Sequence, residues 1–288
     1  MANARAIKLE PDLIAETDED EAPTKSYTEQ LASLVGLSTV KEEVKTLYNF
    51  VSNQQLRISR GMKTVPISYH CVFSGNPGTG KTTVARIIAN IYKELGVLKK
   101  GHFVETDRSG LVAEYIGQTA VKTNKIIDSA LDGVLFIDEA YSLATGGEND
   151  FGSEAIATLL KRMEDDRDRL IVILAGYSDE MEYFIDTNPG LKSRFSRNIF
   201  FPDYSEDELV DILLNYISEY EYTITDDALD KARQSIWEAM QTEGRNFGNG
   251  RFVRNLFETI VKNQANRIAS IPNPSETDLT EIIDRDIS

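Results

Sequence analysis

The chain has 288 residues, 41% of them hydrophobic, and a formal net charge of −16 at pH 7, which suits a globular protein of one large or two moderate domains. The acidic balance argues against nucleic acid as a partner, because proteins that bind phosphate backbones concentrate Lys and Arg on one surface. No apolar run approaches the roughly 18 residues of a membrane helix and no leader-like segment begins the chain, so we expect no membrane partner and a cytoplasmic location.

The first elements are predicted to be a tail and two helices. Residues 1–25 are acidic and poor in large apolar side chains, which favours a flexible tail. From Tyr27 the apolar spacing predicts two helices separated by a break at Gly36, with Ser38 as the N-cap of the second.

A glycine-rich loop follows a predicted strand at Tyr69–Phe73. The stretch FSGNPGTGKTTVARI fits the pattern G-x-x-x-x-G-K-[ST], and an amphipathic helix is predicted directly after it. Glycines let the backbone turn several N–H groups towards one phosphate group. Lys81 then reaches the terminal phosphates, and the Thr82 hydroxyl holds Mg²⁺. The alternative is a glycine-rich connection without a ligand. The candidate nucleotide-binding residues are Asn76, Pro77, Gly78, Thr79, Gly80, Lys81, Thr82 and Thr83.

The remaining pattern predicts an α/β domain followed by a helical one. Short apolar runs alternate with helical stretches as far as Tyr204, which indicates parallel strands in a sheet covered by helices on both faces. After Pro202 only amphipathic helices are predicted. We expect a nucleotide-binding domain over residues 26–203 and a helical domain over 204–288. The predicted strands after the loop are His102–Thr106, Gly133–Ala140, Leu170–Tyr177 and Asn198–Tyr204.

Two adjacent carboxylates end the apolar run VLFIDEA. A buried strand delivers Asp138 and Glu139 to the edge of the sheet, where Asp138 would hold Mg²⁺ and Glu139 would orient and polarise the attacking water. The alternative is that both acids cap the helix that begins at AYSLA. Together with the loop, the pair predicts an ATPase that uses ATP and Mg²⁺, with Lys81 also in a catalytic role.

With both motifs placed, the chain resembles an AAA+ ATPase, a P-loop NTPase with a C-terminal helical lid domain. The narrower resemblance is to the CbbX/CfxQ and stage V sporulation K group, through NPGTGKTTVAR, LVAEYIGQTAVKT, GVLFIDEAYSL, VILAGYSDEM, NPGLKSRF and GNGRFVRN. It implies a homo-oligomer, usually a hexameric ring, with ATP sites between subunits and a central pore for a protein client.

The resemblance implies further site residues. Val35 and Gly36 would border the adenine, and Arg251 would sense nucleotide from the lid, with Arg254 the weaker candidate. Arg194, in preference to Arg197, would reach the γ-phosphate in the neighbouring subunit and act as a catalytic arginine. The alternative is a pair of surface arginines near a strand.

The resemblance also implies a pore loop, and at one position the sequence differs from the family pattern. Tyr115, Ile116 and Gly117 stand where the family carries its client-gripping loop, and the alternative is that Tyr115 is a core residue. Many family members carry Asn or Thr at the position of Tyr177, so neither Tyr177 nor Ser178 is assigned as a sensor here.

These features predict an ATP-driven protein-remodelling enzyme. Three alternatives stay open: a Rubisco activase of the CbbX type, a nucleotide-gated scaffold with slow hydrolysis, and a DNA clamp or helicase loader, which the acidic charge disfavours.

Overall fold

A computed structural model of the chain describes residues 26–65, 68–115, 117–145 and 151–287. The predicted acidic tail at 1–25 lies outside the described residues, as does Ile116 of the predicted pore loop.

A parallel sheet forms the centre of the first domain. Its strands run in the order β2-β3-β4-β1-β5, and β1, β3 and β4 are buried along their whole length. Strands buried on both faces read as continuous apolar runs, which is why the sequence pattern identified them. The predicted α/β fold with a parallel sheet is confirmed. The strands are β1 (Cys71–Gly75), β2 (Phe103–Thr106), β3 (Gly133–Ile137), β4 (Leu170–Gly176) and β5 (Arg197–Phe201).

Helices cover both faces of this sheet. Alternate residues of a strand enter different cores: Phe73 and Phe136 pack into one cluster, and Val72 and Leu135 into the other. This is the period of two that a sheet imposes on its side chains. The helices are α1 (Tyr27–Ser33), α2 (Ser38–Ser59), α3 (Lys81–Glu94), α4 (Arg108–Leu111), α5 (Thr119–Ser129), α6 (Gly152–Asp165), α7 (Ser178–Asp186) and α8 (Pro189–Arg194).

Strand and helix ends depart from the predicted ones. β1 begins after Tyr69 and continues into the loop as far as Gly75, which pairs with Phe201 of β5. β5 ends before Pro202, because proline has no N–H to donate to a ladder. The N-cap of α2 is Leu37 rather than Ser38.

The second domain is mainly helical but contains two short strands. The prediction that strands stop after Pro202 is wrong, because Thr223 and Ile224 pair in parallel with Glu281 and Ile282. Two residues per strand leave no alternating pattern to detect. The elements are α9 (Glu206–Glu219), β6 (Thr223–Ile224), α10 (Asp226–Glu243), α11 (Gly250–Ile268), α12 (Glu276–Thr280) and β7 (Glu281–Ile282).

The C-terminal segment of this domain is tied back to its helices. Lys231 of α10 donates to the carbonyl oxygens of Asp284 and Ile287, at 3.0 and 2.6 Å. Arg267 of α11 forms an ion pair with the buried carboxylate of Asp286, with Nε–Oδ1 at 2.9 Å. A buried, charge-assisted pair of this kind fixes the segment after β7 against the helices.

Candidate active site

A cavity of about 760 Å³ opens at the carboxyl end of the sheet, beside the ends of β1, β3 and β4. Parallel α/β sheets bind ligands at this edge. The α1–α2 connection and the helices α9 and α11 complete its wall. Predicted residues from four separate segments thus share one cavity. Those lining it are Val35, Pro77, Gly78, Gly80, Lys81, Thr82, Thr83, Asp138, Glu139 and Arg251.

The loop between β1 and α3 has the backbone that a phosphate cradle needs. Gly78 and Gly80 have φ angles of 70° and 92°, in the left-handed region that glycine adopts without steric cost. Gly80 is also the N-cap of α3, so the positive end of the helix dipole faces the cavity. The geometry therefore fits the di- or triphosphate of a nucleotide.

Lys81 is held against the loop in this structure. Its ammonium donates to the carbonyl oxygens of Gly75 and Asn76, at 2.8 and 2.7 Å. Burial lowers the pKa of Lys81 to about 8, a shift that Asp138 opposes and Arg251 reinforces. Phosphate oxygens at this place would favour the charged lysine again.

Two predicted loop residues face away from the cavity. Thr79 is fully buried, and its hydroxyl donates to the carbonyl oxygen of Asn76 at 2.8 Å. The Asn76 amide donates to the Asp203 carboxylate, at 3.0 Å to one oxygen and 2.8 Å to the other. Neither residue lines the cavity, and their side chains instead bond within the loop and to Asp203.

The two carboxylates after β3 both line the cavity. Asp138 Oδ1 accepts a hydrogen bond from the Glu139 N–H at 3.0 Å. Glu139 has φ 46° and ψ 44°, a left-handed conformation that costs a non-glycine residue of order 1–3 kcal/mol and is concentrated at functional sites. The Glu139 side chain makes no capping bond to the 3-10 turn Ala140–Ala144, so the alternative of a helix cap is wrong for this residue.

Glu139 also borders a second cavity, of about 530 Å³. That cavity is lined in addition by Arg108, Lys122 and Glu114, the residue before Tyr115. The side chain that would activate water thus lies between the nucleotide cavity and a surface that reaches the predicted pore loop.

The exposure of Tyr115 tests the alternative that it is a core residue. The side chain is 67% exposed, so the alternative of a core tyrosine is wrong. Gly117 has φ 79° with open space around it. An exposed aromatic residue beside a left-handed glycine suits contact with a peptide.

The α1–α2 connection meets the lid at one wall of the cavity. Val35 lines the cavity, whereas Gly36 is not among its lining residues. At φ 58°, a Cβ on Gly36 would overlap the carboxylate of Glu208, in the first turn of α9. The left-handed φ favours glycine here, and a side chain at this position would also have to displace the end of the Glu208 side chain.

Arg194 lies outside this cavity. It ends α8, where its guanidinium forms an ion pair of 3.3 Å with Glu164 and donates to the carbonyl oxygen of Gly190 at 3.4 Å. Its Nε is buried without a hydrogen-bond partner among the described residues. Arg194 therefore has no contact with the ATP site of its own chain.

Arg251 is brought to the cavity by the first turn of α11. The N–H of the preceding Gly250 donates to the carbonyl oxygen of Gly78 at 3.1 Å, so the lid contacts the phosphate loop directly. Arg254, one turn on, also lines the cavity and pairs with Glu258 at 3.0 Å.

Sequence reasoning missed several cavity residues. Tyr177, which it left unassigned, lines the cavity at the end of β4 and packs on Tyr141, with ring centroids 6.2 Å apart. On α9 it identified only an amphipathic helix. The signal was present, since the cavity-facing residues of that helix recur at intervals of three or four. They are Ile212, Asn215, Tyr216 and Glu219.

Two negative findings concern the described part of the chain. It contains no group of three or more His, Cys, Asp or Glu side chains arranged to hold a metal ion. Mg²⁺ in phosphate sites uses one or two protein ligands beside the phosphates, so Thr82 and Asp138 still fit it. Within the same residues, no helix is long and apolar enough to cross a membrane.

Two family models match the chain. Residues 71–203 match the family described as "ATPase family associated with various cellular activities (AAA)". Residues 205–288 match the AAA lid domain.

Curated relatives extend this similarity over most of the chain. Stage V sporulation protein K of Bacillus subtilis (strain 168) is 46% identical over 265 residues, covering 92% of this chain and 82% of that protein. The ESX-3 secretion system protein EccA3 of Mycobacterium leprae is 45% identical over 264 residues, covering 88% of this chain and 41% of that protein. The ESX-1 secretion system protein EccA1 of Mycolicibacterium smegmatis is 42% identical, over 92% of this chain and 48% of that protein. The chain spans less than half the length of these two secretion-system relatives.

Solved structures share the fold at low sequence identity. The AAA domain of FIGL-1 in complex with ADP superposes with a TM-score of 0.60 at 20% identity, covering 88% of this chain and 80% of that one. A RuvB variant of Thermotoga maritima superposes with a TM-score of 0.58 at 19% identity, covering 89% and 68%.

Proposed function

Because the chain belongs to the AAA family of ATPases, we propose that it is a protein-remodelling motor that hydrolyses Mg-ATP at the interfaces of a hexameric ring. The observation that carries the proposal is the separation of its catalytic groups. Lys81 and Glu139 line one cavity together with Arg251, whereas Arg194 lies outside it. An arginine supplied by a neighbouring subunit makes hydrolysis depend on assembly.

Each cavity residue has a distinct role in this proposal. The loop N–H groups and Lys81 bind the phosphates, and Arg251 adds positive charge from the lid. Glu139 orients the attacking water and accepts its proton. When bound, Mg²⁺ neutralises phosphate charge, and Thr82 and Asp138 are the residues that would hold it. Val35 and the α9 face around Tyr216 enclose the base.

The client in this proposal is a protein segment gripped by Tyr115. The ring of this residue is exposed and belongs to a loop bordering the cavity that Glu139 shares. A tyrosine supplies contact area at a low cost in side-chain entropy. The relatives named for sporulation and secretion suggest that clients differ between members, so we assign no client by name. Rubisco activation and a slowly hydrolysing scaffold are the competing functions.

The decisive experiment mixes wild-type protein with the variant Arg194→Ala. If Arg194 acts on the neighbouring site, the variant binds ATP within a few-fold of wild type but does not hydrolyse it. Doped into wild type, it lowers activity beyond simple dilution because each variant subunit inactivates a wild-type site. ATPase rates and light scattering over the same dilution series are the measurements.

Lys192→Ala is the matched control for this experiment. Lys192 lies on the same short helix and pairs with Asp186 at 2.8 Å, but it has no role in the proposed site. It should mix with wild type without loss. Specific activity that stays constant as the protein dissociates to monomer would refute the shared site.

A further inference from the structure

A buried asparagine connects the lid to the phosphate loop. Asn249 precedes α11 and is fully buried. Its amide nitrogen donates to Asp203 Oδ1 at 2.8 Å and lies 3.2 Å from the carbonyl oxygen of Pro77 in the loop. Its amide oxygen accepts from the Tyr204 N–H at 3.0 Å. One side chain thus bonds the loop and the segment between the two domains.

Asp203 is hydrogen-bonded both to Asn249 and to the phosphate loop, and we call these three residues (Asn76, Asp203 and Asn249) the cluster. The exposed carboxylate accepts from Asn249 and, through both oxygens, from the Asn76 amide. Hydrogen bonds to a charged acceptor are stronger than neutral ones. The lid and the phosphate loop are therefore joined through a single carboxylate as well as directly.

The Asn249 backbone needs these bonds. Its φ of 46° and ψ of −126° lie in a region that non-glycine residues rarely adopt. Such conformations persist where the surroundings over-determine them. Here the surroundings are the partners of the side-chain amide, including the carbonyl oxygen of Phe247 at 3.2 Å.

The hydrogen bonds of Asn249 also fix the position of Arg251. It follows Asn249 by two residues, and its N–H donates to the carbonyl oxygen of Gly248 at 2.9 Å. Between them, Gly250 donates to Gly78 at 3.1 Å. These bonds hold the backbone of residues 248–251 against the phosphate loop and so set the point from which the Arg251 side chain extends.

We propose that Asn249, with Asp203 as its partner, is a positioning residue that holds Arg251 over the phosphate loop. The arginine then acts on the nucleotide phosphates only while the cluster is intact. This inference rests on the role of Arg251 in the proposed function.

The test is a double-mutant cycle between Asn249→Asp and Arg251→Ala. The aspartate keeps the size of asparagine but turns an acceptor towards Asp203 and Pro77. We expect it to weaken binding of a non-hydrolysable ATP analogue about tenfold in wild type and less than about twofold in the Arg251→Ala background. The exchange Asp203→Asn with Asn249→Asp restores a donor and an acceptor between the two positions and should recover part of the loss.

Controls separate positioning from general damage to the lid. Asn263→Asp alters another lid asparagine, whose amide donates to the Asp286 carbonyl oxygen at 3.0 Å, and should leave analogue affinity unchanged. If Asn249→Asp does not fold, Asp203→Ala replaces it in the cycle, because that exposed residue lies outside the core.

The outcomes distinguish two failures. An equal loss of affinity in both backgrounds would overturn the positioning role alone. An Arg251→Ala variant that binds the analogue like wild type would remove the role proposed for that arginine and the positioning with it.

Discussion

The Gly250 N–H donates to the Gly78 carbonyl oxygen at 3.1 Å, so the backbones of the lid and the phosphate loop are in contact. Gly78 has no room for a side chain at this point. A Cβ there would overlap the Gly248 carbonyl oxygen and lie 2.8 Å from the Arg251 nitrogen. Gly78 therefore allows the lid backbone to approach the loop closely, in addition to allowing the loop to turn.

We predict that Gly78→Ala weakens nucleotide binding at least about tenfold, because overpacking that costs about 1–3 kcal/mol must displace the lid or the loop. Gly61→Ala is the control, since Gly61 has a similar φ of 67° but open space around it. Both variants carry the same backbone strain, and only one has the clash. Isothermal titration with ADP measures the difference, and equal affinities would show that the contact is irrelevant to binding.

Lys81 and Glu139 should separate binding from hydrolysis. Lys81→Ala removes the cation proposed to bind the phosphates and should abolish detectable ATP binding. Glu139→Gln keeps the shape of the side chain but removes the base, so it should bind ATP and lose about 100-fold or more in turnover. Glu182→Gln, an exposed change on α7, should behave as wild type. Wild-type affinity in Lys81→Ala would mean that the loop does not bind phosphate.

Tyr115 should matter for the client and not for folding. We expect Tyr115→Ala to keep its melting temperature, because the side chain is 67% exposed. Its affinity for fluorescein-labelled casein, an unfolded-protein probe, should fall several-fold, since each lost aromatic contact of about 1 kcal/mol would be repeated in every subunit of the proposed ring. Tyr115→Phe should retain binding. Tyr183→Ala, which is 73% exposed on α7, tests whether any surface tyrosine has this effect.

His70 should make stability depend on pH. Its Nδ1 accepts the Val172 N–H at 2.9 Å, and burial, together with the charge of Arg194, lowers the pKa of His70 to about 4. The unfolded chain therefore binds a proton between pH 6.5 and 4 that the folded chain does not. The contribution of His70 to the unfolding free energy should be at its maximum above pH 6.5. It should fall by about 3 kcal/mol as the pH drops to 4.

The variant His70→Gln isolates this effect. Its amide oxygen can accept the same hydrogen bond but does not titrate. The difference in unfolding free energy between wild type and variant, from denaturant melts, should therefore shrink on acidification. Parallel curves over this pH range would exclude His70 as the source.

The phosphate loop was predictable because its signal is local. Glycines, a lysine and a hydroxyl at fixed spacing between a strand and a helix define both the conformation and the ligand class. Asp138 and Glu139 were predictable for the same reason, since a buried strand ends at them. The α/β fold was predictable because its central strands are continuous apolar runs.

The rest depends on tertiary contacts between distant segments. No pattern around Asn249 shows that its side chain meets Pro77, because 172 residues separate them. Strands β6 and β7 have too few residues to show an alternating pattern of apolar and polar side chains. Tyr177 is not predicted as a site residue because the Asn or Thr that many family members carry is absent there, yet its side chain lines the cavity.

The tie between α10 and the segment after β7 has a consequence for how the lid is made during synthesis. Lys231 bonds to Asp284 and Ile287, and Ile282 completes the strand pair with Ile224. These partners are more than 50 residues apart, so local helices form well before the contacts that join them. The lid therefore stays incomplete, with its apolar helix faces open to chaperones, until residues 281–287 have left the ribosome.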